Sequence, residues 1–301
     1  MKIACLTVVY PSMKNHFNDY IESLNAQTGV EFDIIMINDN FGNDINFYCN
    51  RINNEVKLFK HEGSPQANRI FGLEVCKRLG YDLIICTDSD ETMYHNRIEL
   101  VFKYFSNNHH EDIVFNNGDC TYNERYFSLF YKEQLNLFDI LDFNVLGYGA
   151  LNLRSKTIPF VTGIANENVL VFDWWLALTY LLNNPSITFL KEAKTKLKYH
   201  EGNFIGPIFE VNRKRIEFGI TIKKNIYSEL ILYCEKNNLI DKILIFREKI
   251  YEIEEIETFI EQNTFETYFH LVNKYFHNKN IYWWFEILPI NYLKKENILC
   301  D

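Results

Sequence analysis

Glycine and proline are scarce, with 12 Gly and 6 Pro in 301 residues, which excludes a collagen-like or low-complexity chain. Basic residues are the minority, 31 Lys and Arg against 40 Asp and Glu, and the net charge of −9 argues against nucleic acid as a partner. No apolar run reaches the ~18 residues of a membrane span. The richest, Val169 to Leu182, is interrupted by Asp173 and reads as a buried helix. The start, Met1 to Pro11, lacks the long apolar core and small-residue cleavage site of a signal peptide. Seven scattered Cys with no CxxC pair indicate neither a zinc site nor a disulfide framework, and fit reduced thiols in a cytoplasmic protein. What is abundant is aromatic: 25 Phe, 19 Tyr and 4 Trp, within 47% hydrophobic residues. Disorder is thereby excluded, and the length suffices for one large or two small domains.

The first half alternates strand and helix signals. Apolar β-branched runs at Ile3 to Val9, Phe32 to Ile37, Val56 to Phe59 and Tyr81 to Thr87 read as buried strands. Between them, Lys14 to Gln27 has helical apolar spacing, and a second helix is well punctuated: Ser64 as N-cap, Pro65 at the first position, Gly80 after the last turn. A helix over Arg97 to Asn107 follows. The pattern predicts a mostly parallel α/β sheet with right-handed crossovers, whose ligands bind outside the carboxyl ends of the strands. Two of those ends carry carboxylates, Asp39 and Asp88/Asp90. Further on, Ile113 to Phe115 reads as a strand ended by an Asn116-Asn117-Gly118 turn. Glu133 to Phe143 reads as a helix, Asp173 to Leu182 as a strong one, and Ile187 to Leu190 and Lys196 to Tyr199 as two strands. From Tyr227 the chain reads as mostly helix, with Ile243, Phe246, Ile250, Ile253, Ile256 and Ile260 in one stripe.

Three constellations carry chemistry. Asp88-Ser89-Asp90 puts two carboxylates at a strand end, suited to a hard divalent cation such as Mg²⁺ or Mn²⁺ that also binds substrate phosphates. A chain this size contains roughly one such triplet by chance, so its place after Leu83-Ile84-Ile85-Cys86 carries the weight. Asp173, amid Val-Leu-Val-Phe and Trp-Trp-Leu, is costly to bury unsatisfied; it fits a helix N-cap, a general base tuned by burial, or both. His200 lies before a loop flanked by Gly202 and Gly206, an arrangement able to close over a ligand.

In this order, the segments resemble family 2 glycosyltransferases of the GT-A fold, over roughly residues 1 to 210. Thr7-Val8-Val9-Tyr10 is similar to the family's opening strand, and Asn38-Asp39-Asn40 to the motif whose Asp contacts the nucleotide base. Gly63 to Leu73 resembles the Gly-x-x-x-Ala-Arg-Asn-x-Gly-Leu helix, with Arg69 and Gly72 in line and Ile70 in place of Asn. Asp88 to Glu91 resembles the metal-binding DxD element. Phe172 to Leu176 resembles the Asp-Trp-Trp motif of polysaccharide transferases, rhamnosyltransferases among them. Lys198 to Gly206 resembles the Tyr-Arg-Gln-His-x-x-Asn-x-x-Gly segment, matched at His200, Asn203 and Gly206 but without the Arg-Gln.

The resemblance implies an inverting, metal-dependent hexosyltransferase. It would move a sugar from a nucleotide-diphosphate donor such as a UDP-sugar to a glycan or lipid-linked acceptor, in surface polysaccharide or lipopolysaccharide synthesis. Asp173 is the implied base. Thr7, Tyr10, Asp39, Arg69, Asp88 and His200 are the implied donor contacts, and Asp90, Asp88 and His200 the implied ligands of Mn²⁺ or Mg²⁺. The expected organisation is a catalytic domain over 1–215, with a nucleotide-binding half to 110 and an acceptor half after it, then a helical extension over 216–301. A dinucleotide dehydrogenase or P-loop enzyme is excluded, because Gly-x-Gly-x-x-Gly and Gly-x-x-x-x-Gly-Lys-Ser/Thr are absent. A glycan-binding module and a nucleotidyltransferase are the competing readings. The tail could cover the catalytic domain, form a homo-oligomer interface, or touch the inner face of a membrane through Ile281 to Pro289 and Lys294-Lys295.

Overall fold

A run of seven residues that is apolar but for one Thr cannot alternate between core and solvent, so a strand made of it must be covered on both faces. Ile3–Val9 (β1) is buried at every position. It pairs in parallel with Asp33–Asn38 (β2) on one side and Leu83–Asp88 (β4) on the other, and β2 pairs in parallel with Val56–Lys60 (β3). Helices connect these strands: Phe17–Asn25 (α1), Ile45–Cys49 (α2) and Pro65–Arg78 (α3). α3 starts where its punctuation placed it, with the Ser64 hydroxyl accepting from the Ala67 N–H at 3.1 Å, and Gly80 beyond its end takes a positive φ of 72°. The Lys14 to Gln27 helix is shorter than expected, because Pro11–Met13 forms a 3₁₀ turn first.

The computed structural model describes residues 1–122, 125–130, 132–197, 212–263, 265–276, 287–288 and 290–295. After Thr92–Met93 (β5) and Arg97–Asn107 (α4) come Ile113–Tyr122 (β6), Arg125–Ser128 (β7), Gln134–Leu135 (β8), Leu137–Ile140 (α5), Leu151–Arg154 (β9), Ile158–Gly163 (α6), Phe172–Asn183 (α7) and Ile187–Leu197 (β10). The sheet runs β3-β2-β1-β4-β9-β6-β10-β5, with β7 on β6 and β8 on β10. Its first four strands are parallel, whereas β9 is antiparallel to both β4 and β6. The expected mostly parallel sheet flanked by helices is thus present, and its later half is mixed.

Three local expectations need correction. The Asn116-Asn117-Gly118 segment lies inside β6 and makes no turn. Its two Asn side chains are 1% exposed and are satisfied there: Asn116 donates to Thr195 Oγ1 at 3.1 Å and Asn117 to Ser128 Oγ at 2.9 Å, which removes the usual cost of a buried amide. The Glu133 to Phe143 helix is only the single turn α5, preceded by β8. The two strands expected between 187 and 199 are one strand, β10, with a register shift between Leu190 and Lys194.

The chain divides into two compact units. The first holds the sheet, over 1–137, 145–167 and 172–204; the second comprises 138–144, 168–171 and 205–301. Described helices of the second are Arg213–Lys236 (α8), Ile240–Gln262 (α9), Phe265–Phe276 (α10) and Ile290–Lys295 (α11), the helical C-terminal region expected. α8 and α9 form a hairpin whose turn carries Asn238 at φ 57°. Of the anticipated stripe, Ile243, Phe246, Ile253 and Ile256 are buried, and Tyr227 of α8 stacks on Phe246. The short segments join through polar contacts: Tyr227 Oη donates to the Leu141 carbonyl at 2.8 Å, and Asn225 receives the Leu170 N–H and donates to the Asn168 carbonyl. α9 also leaves Ile240, Leu244 and Tyr251 exposed. Among the described residues no helix is long and apolar enough to cross a membrane. Residues 281–286 and 289, most of the segment read as able to touch one, lie outside the described residues, as do His200 and the rest of the 198–206 motif.

Candidate active site

Parallel pairing in register brings the carboxyl ends of β1, β2 and β4 side by side: Val9 lies opposite Asn38, and Val8 opposite Asp88. In open α/β sheets this edge is where ligands bind, at the point where strand order reverses, here between β1 and β4. The chain turns sharply just beyond each strand. After β2, Asn38 Oδ1 accepts the Phe41 N–H at 2.9 Å and Asn40 adopts φ 56°, a local turn that Asn favours. It leaves Asp39 part-exposed, with its own N–H on the Val9 carbonyl at 2.9 Å. After β4, Ser89 is 2% exposed and donates to the Val8 carbonyl at 2.9 Å. The flanking Asp88 and Asp90 stay part-exposed.

Asp88 is held from two sides. Arg69 Nη2 lies 3.2 Å from Oδ1, and the Gly149 N–H donates to Oδ2 at 3.0 Å. The Arg69 guanidinium also lies over the Tyr148 ring, 4.1 Å from its centroid. Tyr148 and Gly149 belong to a 3₁₀ turn, Tyr148–Ala150, which Arg97 ties to β4. Fully buried, Arg97 donates through Nη2 to the Cys86 carbonyl at 2.8 Å and the Gly149 carbonyl at 2.7 Å. A larger residue at Gly149 would crowd the acids: a Cβ there would stand 2.6 Å from Glu91 Oε2 and 2.9 Å from Asp88 Oδ2, so both would have to shift.

Electrostatics confirm the clustering. Burial raises the Asp88 carboxyl against the pull of Arg69, and the Asp90 charge adds to the rise. Burial and then the Asp88 and Asp90 charges lift Glu91 well above the ordinary carboxylate range. The Tyr10 phenol is raised by the same causes in the same order. Burial would weaken the charge of Arg69, yet its carboxylate surroundings, Asp88 before Asp173, keep it firmly protonated. Asp173 is therefore close enough to act on Arg69. It sits in the first turn of α7, part-exposed, with Oδ1 accepting the N–H of Trp174 at 3.0 Å. The helix begins at Phe172, so Asp173 is inside its first turn and is not the residue before it, as an N-cap would be.

The sequence between 8 and 164, more than half the chain, matches the family model described as "Glycosyl transferase family 2". The chain belongs to glycosyl transferase family 2. Solved structures agree on the GT-A fold. The crystal structure of S. aureus TarS 1-349 in complex with UDP-GlcNAc is 17% identical, covers 77% of this chain and 67% of its own, and superposes with a TM-score of 0.56. In the crystal structure of the same TarS segment in complex with UDP, this chain spans 66% of the TarS length, just short of two thirds. A further crystal structure of S. aureus TarS, at 14% identity and TM-score 0.57, covers 99% of this chain, which spans 50% of that one. The mannosyltransferase PcManGT from Pyrobaculum calidifontis, in complex with GDP-Man and Mn²⁺, is 8% identical, covers 83% of this chain and 69% of its own, with a TM-score of 0.51. No curated protein matches the chain in sequence.

Within this family 2 chain, the structure gathers Tyr10, Arg69, Asp88 and Asp90 at one edge and Asp39 at the neighbouring strand end, with Asp173 placed where its charge acts on Arg69. It does not bring Thr7 there. Thr7 is 0% exposed in mid-strand, opposite Met36 and Thr87, a core position from which its side chain cannot meet a ligand. Among the described residues no three of His, Cys, Asp and Glu come together as a ready metal cluster. Glu91, Arg97, Tyr148 and Gly149 were not anticipated. Glu91 adjoins the Asp-x-Asp and could have been suspected; the other three have no local signature, because they matter through contacts made across the sheet.

Proposed function

We propose that the protein is an inverting glycosyltransferase that uses a nucleotide-diphosphate sugar and a glycan or lipid-linked hydroxyl acceptor. The convergence of Asp39, Tyr10, Arg69, Asp88 and Asp90 at adjacent strand ends, with Asp173 near the same guanidinium, carries this reading. Asp39 would hold the base and Tyr10 line its pocket. The acceptor hydroxyl oxygen attacks the anomeric carbon, the bond from that carbon to the diphosphate oxygen breaks, and the nucleoside diphosphate leaves with the electron pair. Asp173 takes the hydroxyl proton. Arg69, kept cationic, stabilises charge that develops on the leaving group. Holding both substrates together supplies much of the remaining rate. The surface-polysaccharide setting and a cytoplasmic location follow from the family resemblance.

The fold family implies a divalent cation, and the donor set can be tested for fit. Both Asp88 oxygens are engaged, one by Arg69 and one by the Gly149 N–H, so Asp88 suits a supporting role. Asp90 is then the carboxylate suited to hold the cation, with donor phosphates completing the shell as Mg²⁺ sites commonly do. The cation would neutralise charge on the diphosphate. The test is a screen of nucleotide sugars by mass spectrometry, following slow hydrolysis. One donor should be turned over by the wild type. Asp173→Asn should lower transfer at least ~100-fold, in the range of general-base loss, with nucleotide affinity kept within about twofold. Undiminished turnover in that variant removes Asp173 as the base.

A further inference from the structure

A hydrogen-bonded relay stands behind Asp39. Asn68, 1% exposed on α3, donates through Nδ2 to Asp39 Oδ2 at 2.8 Å and to the Gly63 carbonyl at 3.1 Å. An ionised carboxylate and a carbonyl only accept, so both amide hydrogens of Asn68 are spent and its orientation is fixed. Asn68 Oδ1 then faces His61 Nδ1 at 2.7 Å. An amide oxygen cannot donate, so His61 carries the hydrogen on Nδ1. His61 is itself anchored. Its ring stacks on Phe71 at 4.2 Å and 12°, and its backbone N–H donates to the Asn38 carbonyl at 3.2 Å, tying the loop after β3 to the end of β2. In the family pattern aligned on Arg69, the position of Asn68 is an alanine, which has no donor.

We propose that Asn68, oriented by His61, is a positioning residue that locks the Asp39 carboxylate to accept one imide N–H, so that the donor site takes a uracil- or thymine-type base in preference to guanine. The proposal rests on the reading of this edge as the donor site. One Asp39 oxygen is occupied by the amide, which leaves one well-directed acceptor. Uracil and thymine offer a single N–H between two carbonyls. Guanine offers two adjacent donors, N1–H and the 2-amino group, and matches a carboxylate with both oxygens free. Because Asn68 is buried and both its amide hydrogens are spent, Asp39 cannot rotate to meet guanine without leaving the Asn68 amide unpaired, a costly outcome.

The experiment measures binding of UDP, dTDP and GDP by calorimetry to the full chain, with and without Mn²⁺, for wild type, Asn68→Ala, His61→Ala, His61→Gln and Asp39→Asn. Wild type should bind UDP and dTDP at least ~10-fold more tightly than GDP. Asn68→Ala should erase most of that ratio, and His61→Ala should shrink it. His61→Gln, which keeps a side-chain donor, should restore it in part; a merely structural role would not show that rescue. If Asn68→Ala does not fold, the His61 pair carries the test. A wild-type preference for GDP, or an unchanged ratio in folded Asn68→Ala or His61→Ala, overturns the proposal. If Asp39→Asn weakens binding while the relay variants do not, only the relay fails. If wild type binds no nucleotide, the donor-site reading fails and takes the relay with it.

Discussion

Asp33 and Asp88 occupy opposite ends of parallel strands, and their surroundings treat the same side chain in opposite ways. Asp88, at the carboxyl end of β4, is desolvated beside another carboxylate and is raised. Asp33, at the amino end of β2, would also be raised by burial, but hydrogen bonds from Tyr81 at 2.6 Å and Lys57 at 3.0 Å outweigh it and hold its carboxyl below the ordinary value. A lowered acid stabilises the fold when ionised; the contribution is complete above its unfolded value and disappears as pH falls through the lower folded one. Asp33→Asn should therefore lower the urea midpoint at pH 7, by at most about 1 kcal/mol for a part-exposed pair. The gap to wild type should close as pH falls below the ordinary carboxylate range and through the lowered folded value. A gap of equal size at neutral and strongly acidic pH would show that the pair is not the cause. At this scale the carboxylates were legible, since they stand at the strand ends outside which an open α/β sheet binds its ligands. Arg69 was legible only through the family pattern. Asn68, His61 and Arg97 were not, because nothing local distinguishes an Asn that caps a carboxylate from one on a helix surface.

Elements position the site through close approach. Gly72 lets α3 lie on β1, where a Cβ would stand 2.6 Å from Leu6 Cδ1; that contact brings Arg69, less than one turn away, to the strand end. Gly149 does the same for the 3₁₀ turn that grips Asp88. Gly149→Ala would set a methyl against Glu91 Oε2 and 3.2 Å from the Asp88 backbone nitrogen, which cannot yield cheaply, at a cost of about 1–3 kcal/mol. UDP affinity should fall about tenfold or more, with the far-ultraviolet spectrum retained. Wild-type affinity in that variant would dismiss the turn as a support for Asp88. Most strand and helix positions in the first 110 residues followed from periodicity, since β1, β2 and β4 are short, mostly apolar runs covered on both faces. Apart from the shorter first helix, the errors fall between 113 and 199, where buried amides stand inside a strand and a register shift mimics a break. Propensity reads Asn-Asn-Gly as a turn; only the partners on β10 and β7 make it a strand.

At the scale of the molecule, a ligand that binds only the folded sheet unit should stabilise it. UDP with Mn²⁺ at 100 times its dissociation constant adds about 2.7 kcal/mol, a rise of roughly 5–10 °C for a unit of this size. Asp39→Asn should reduce the rise, and its persistence there would place the nucleotide elsewhere. The α/β alternation, the strand ends that carry acids and the helical C-terminal region are written along the chain, because hydrophobic period and helix punctuation are local properties. Folding in three dimensions settles that Asp88 is shared between a guanidinium and a backbone N–H, that Thr7 is core, and that segments 138–144 and 168–171 pack with the helices of the second unit. Those outcomes depend on which distant atoms the folded chain brings within hydrogen-bond distance, and the spacing of residues along a sequence carries no record of that.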